Sequence, residues 1–90
     1  MKRCLAPHVG PLQAGHVLLA WIDPRDDGRR RVIAWTCDCR SVVYELCSAG
    51  GQSYLRRIVQ GARLDVSETP RTRASEAHDL WAELLTGRVR

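Results

Sequence analysis

Between residues 16 and 59 turn chemistry cuts the chain into four short apolar runs, and a single helical pattern follows them. Residues 16–23 (HVLLAWID), 31–37 (RVIAWTC), 42–47 (VVYELC) and 53–59 (SYLRRIV) have strand length and are rich in β-branched and aromatic side chains. Asp27-Gly28 between the first two runs is a strong hairpin signal. Residues 38–41 are short and polar, and Gly50-Gly51 can supply positive φ to a third turn. Three successive hairpins make an antiparallel meander. Residues 60–70 read as a connector, in which Leu64 and Val66 allow a short edge strand. Thr69-Pro70 marks a boundary, because the residue before proline avoids the helical region. Beyond it Ala77, Leu80, Trp81, Leu84 and Leu85 recur at three- and four-residue spacing and form one apolar face. Thr72 or Ser75 is expected to cap this helix, Glu76 and Asp79 suit its positive end, and Gly87 is its natural stop. The expected fold is α+β: an antiparallel four-stranded β-meander with one C-terminal helix packed on one face, over residues 16–90, preceded by an irregular arm, residues 1–15, that holds Pro7, Gly10, Pro11 and Gly15.

A sheet with one solvated face should alternate apolar and polar residues. These runs do not: Leu18 and Leu19, Trp21 and Ile22, Val32 and Ile33, and Val42 and Val43 point apolar side chains to both faces. One helix covers one face. The arm or another protein must cover the second, and a homodimer is the economical solution because a symmetric contact uses one patch twice. A protein partner, met through apolar strand positions with Trp21 or Trp35 as an aromatic anchor, is therefore the leading expectation.

Ninety residues bury a modest fraction of their surface, so a metal, a disulfide or a partner is the usual supplement to the core. The cysteines bear on this. Cys37, Cys39 and Cys47 are close in sequence, but a tight hairpin after Cys37 carries Cys47 roughly 16 Å along the next strand, too far to share an ion. The better set is Cys4 and His8 from the arm with Cys37 and Cys39 from the turn: three thiolates and an imidazole, the donors a structural zinc takes. Cys-x-Cys is a weaker zinc spacing than paired Cys-x2-Cys units. A Cys4–Cys39 disulfide and ordinary packed thiols are the other readings. The N-terminus carries charge without an apolar segment behind it, and no apolar run approaches the length of a membrane span, so a cytoplasmic protein with reduced thiols and no membrane association is expected.

The formal net charge is +4, and every basic residue but Lys2 is arginine. A GC-rich genome explains that bias; an arginine surface for phosphate or carboxylate groups is the functional alternative. Arg29, Arg30 and Arg31 cluster near a hairpin and Arg56 lies on a strand, so a zinc-stabilised nucleic-acid-binding module using this patch is the second expectation. The helix opposes it, since Glu76, Asp79 and Glu83 face outward. A thiol-based redox protein is third, lacking a Cys-x-x-Cys at a helix start. No spacing points to a catalytic triad or a phosphate-binding loop, so an enzyme is not expected.

The segment Val43-Tyr44-Glu45-Leu46-Cys47, the turn and strand from Ser48 through Arg57, and the ending Trp81-Ala82-Glu83-Leu84-Leu85-Thr86-Gly87-Arg88 resemble the small actinomycete regulators of the BldB type. The resemblance covers about half the chain. The cysteines, the long connector and the extra N-terminal hairpin depart from it. It implies a small, often dimeric, non-enzymatic protein that acts in bacterial gene regulation through a partner.

Overall fold

Gly50 and Gly51 set the middle of the molecule. Their φ values of 58° and 79° lie where side-chain-bearing residues are strained, and they turn β2 (Val42–Ala49) back onto β3 (Gln52–Gln60) with unbroken antiparallel register from Val42↔Val59 to Ala49↔Gln52. β1 (Arg31–Trp35) pairs with β2, its register shifting between Val32 and Ala34. β4 (Leu64–Glu68) pairs with β3. The order β1-β2-β3-β4 is a four-stranded antiparallel meander, and α1 (Ala74–Thr86) lies against β2 and β3. This architecture comes from a computed structural model that describes residues 4–25 and 29–90.

The strand membership differs from the sequence expectation in one respect. Residues 16–23 are not a strand of the sheet, and the fourth place belongs to β4. The three residues after Gln60 close a local hairpin, and short closures cost little entropy. Leu64 and Val66 alternate with Asp65 and Ser67, the pattern of a half-exposed edge. Residues 16–23 instead run as an extended strap. Val17 forms an isolated parallel bridge with Val89, Ile22 an antiparallel one with Glu68, and between them Leu19 and Trp21 pack on the core. The expected Asp27-Gly28 turn lies outside the described residues.

Neither Thr72 nor Ser75 caps α1. Arg73 is the N-cap and makes no side-chain capping bond, while the Thr72 hydroxyl donates to the Glu76 carboxylate and Arg73 lies 3.4 Å from the same residue. The C-terminus ends as expected. Gly87 has φ 83°, its N–H donates to the Leu84 carbonyl, and the Arg88 N–H donates to that of Glu83, which together form a Schellman closure.

The helix-side core is Tyr44, Leu46, Leu55, Ala77, Trp81, Leu84 and Val89. On the opposite face Cys47, Ala49 and Tyr54 are also buried. The chain covers part of this second face with its own charged groups, and the start of the arm lies on it beside Trp35 and Val43. The Arg71 guanidinium stacks 4.3 Å from the Tyr54 ring and lies 3.6 Å from the buried Glu68 carboxylate, which also accepts the Arg25 backbone N–H. Arg56 lies 3.7 Å from Glu45. No helix among the described residues is long and apolar enough to cross a membrane.

Candidate metal centre

The arm, extended and without helix or strand over residues 4–15, wraps around the end of β1. Pro7 sits at the crossing, where its carbonyl accepts the Cys37 backbone N–H at 2.9 Å. Cys4, Leu5 and Ala6 lie beside Trp35, Val43 and Glu45 on the second face. His8 and Val9 lie beside Val42 and Tyr44 on the helix side. From there the arm follows the end of α1: the Gly10 N–H donates to the Leu85 carbonyl, the Gln13 N–H to that of Gly87, and the Arg90 guanidinium returns a bond to the Gly10 carbonyl.

This path carries Cys4 and His8 onto the turn that holds Cys37 and Cys39. One donor atom from each of the four residues lies within 4.8 Å of the others. The Cys4 and Cys39 sulfurs are 3.6 Å apart and His8 Nε2 is 3.0 Å from the Cys39 sulfur. A tetrahedral ion with bonds of about 2.3 Å to sulfur separates its sulfur ligands by about 3.8 Å, so the cluster needs only small adjustments to enclose one. Three thiolates and an imidazole form a closed, soft set that suits zinc and leaves no open position for a reacting water.

The thiols differ electrostatically. The Cys37 thiol is lowered to about 7, chiefly because the Cys39 backbone N–H donates to its sulfur. Cys4 is pushed up to about 11 by sharing its proton with Cys37 and Cys39. Cys47 pairs with Val32 and Tyr54 well along β2 and takes no part. Burial, helped by the Glu45 carboxylate, raises its thiol to about 12.

The other residues singled out from sequence divide into two groups. Trp35 is 55% exposed and forms one wall of a cleft of about 480 Å³ beside the cysteines. Trp21 is spent inside the fold, its ring 5.9 Å from that of Tyr44 with the Arg57 guanidinium 4.6 Å above it. Arg29, Arg30 and Arg31 are exposed, whereas Arg56 faces Glu45. Leu5 and Val43 complete the cleft and were not marked in the sequence. Leu5 could have been, since it is a leucine beside a candidate ligand cysteine in an arm with no apolar periodicity to place it in a core; in the structure it is 95% exposed. Comparison with known families, curated proteins and solved structures finds no match for this chain.

Proposed function

We propose that this chain is a zinc-stabilised, non-catalytic adaptor that binds another protein chain through the cleft at Trp35. The observation that carries the reading is the shared wall: Cys4, Cys37 and Cys39 line the same cleft as the exposed Trp35 ring. The metal fixes the arm, and the arm completes the cleft. An exposed tryptophan flanked by Leu5 and Val43 has the composition of an interface anchor. A regulatory role through a partner accords with the resemblance of the C-terminal half to BldB-type regulators, and a second copy of the chain is one partner the cleft could take.

The arginines favour a protein over a nucleic acid. Arg56, Arg57, Arg71 and Arg90 are engaged within the fold, and Arg73 lies beside Glu76 on the surface. Arg29 and Arg30 lie just before β1, Arg31 begins it and Arg40 follows it. Cobalt(II) titration tests the metal: tetrahedral thiolate bands should saturate at one ion per chain and disappear in Cys39→Ser. Light scattering of the zinc-loaded chain and of Trp35→Ala tests self-association through the cleft. Salt-sensitive binding to random duplex DNA would instead favour the nucleic-acid reading.

A further inference from the structure

We propose that Cys4 and Cys39 are a peroxide-sensitive thiol pair whose oxidation expels the metal. Both side chains are exposed and their sulfurs stand 3.6 Å apart, whereas Cys37 and Cys47 are buried. A peroxide reaching the centre from solvent therefore meets Cys4 and Cys39 first. A disulfide needs the two sulfurs to approach by about 1.5 Å more. Cys4 can supply that movement, because the arm's backbone is bonded into the fold at Pro7, three residues further on. Cys37 and Cys39 flank a single residue, so a bond between their sulfurs would close a small, strained ring, and Cys37 is buried.

The chemistry balances with a hydroperoxide as the oxidant. The Cys39 thiolate attacks one peroxide oxygen: an S–O bond forms, the O–O bond breaks, and the departing hydroxide is protonated to water. The sulfur loses two electrons and becomes a sulfenic acid as the peroxide is reduced. The Cys4 thiolate then attacks the Cys39 sulfur: an S–S bond forms, the S–O bond breaks, and a second hydroxide leaves as water. Only Cys37 and His8 remain for the ion, and a two-ligand site does not hold it. The arm stays tethered by the disulfide. The metal's departure rests on the zinc reading; the sulfur linkage does not.

The test uses the full chain, zinc-loaded under reducing conditions, then exposed to a small excess of hydrogen peroxide. Released zinc is followed with a chromogenic chelator, and the product is analysed by intact mass and by tandem mass spectrometry of its tryptic peptides without reduction. The expected result is one zinc released per chain, a monomer lighter by two hydrogens, and a peptide pair joined through Cys4 and Cys39. Thiol reductant with added zinc should reverse it. Cys37→Ser should still form the link and Cys39→Ser should not; if either variant fails to fold, the fragment ions of the wild-type pair decide. A link through Cys37, intermolecular dimers, over-oxidised sulfonic acids, or retained zinc with unchanged thiols would overturn the proposal. A Cys4–Cys39 link in a chain that never bound zinc supports the thiol pair and overturns the metal reading.

Discussion

At the scale of single residues, Cys47 and Trp35 have opposite characters. Cys47 is fully buried between Tyr54 and Ala49, and its thiol is raised from 9.0 to about 12. It should be sluggish toward iodoacetamide in the folded protein and react at an ordinary rate once the chain is denatured, measured by mass after timed labelling. The shift also has a stability consequence. The folded state keeps the proton that the unfolded chain releases, so the contribution of Cys47 is complete below pH 9 and is lost as the pH rises toward 12. Tyr54, raised in the same direction by burial and by neighbouring Cys47, acts with it. Urea midpoints should fall on moving from about pH 8 to about pH 10.5, and fall less in Cys47→Ala. Trp35 is the contrasting case. Because its ring is largely exposed, Trp35→Ala should change stability by no more than about 1 kcal/mol by urea unfolding, while Leu84→Ala, fully buried under α1, should cost about 2–5 kcal/mol.

At the scale of elements, the arm and the end of α1 are fitted to each other. A Cβ built on Gly87 would stand 2.0 Å from the Pro11 carbonyl oxygen, and the residue's φ of 83° is itself unfavourable for alanine. Gly87→Ala should therefore loosen the arm as well as the helix terminus, lowering stability by about 1–3 kcal/mol or more and speeding amide exchange at Gly10 and Gln13, whose N–H groups are bonded there. Much of this level was legible from the residues. The helix face and its glycine stop follow from periodicity and φ preference, and β2 and β3 follow from apolar runs about Gly50-Gly51. The strap at residues 16–23 was not legible. Its composition is that of a strand, but its partners lie elsewhere: Val17 and Ile22 bridge to Val89 and Glu68, Leu19 and Trp21 pack on the core, and β4 joins the sheet at the opposite edge, beside β3. The charged part of the second face's cover was likewise hidden, because nothing in Glu68-x-x-Arg71 announces that a charged pair will lie buried over Tyr54. The four-residue cluster was legible for a geometric reason. Hairpin length removed Cys47 from the set and left the arm as the source of the missing donors.

At the scale of the whole molecule, the proposed metal would link the arm to the turn between β1 and β2 and offset the small size of the core. Removing zinc with a chelator should lower the thermal midpoint, and Cys4→Ser or His8→Ala should reproduce most of that loss without a further effect of chelator. The measurement that bears most directly on this account is native mass spectrometry of the chain purified under reducing conditions with zinc present, paired with thermal unfolding before and after chelation. The account predicts one zinc per chain, its loss in Cys39→Ser, and a midpoint that falls when the ion is removed. A chain that carries no metal at equimolar zinc, and unfolds at the same temperature with or without chelator, would contradict it.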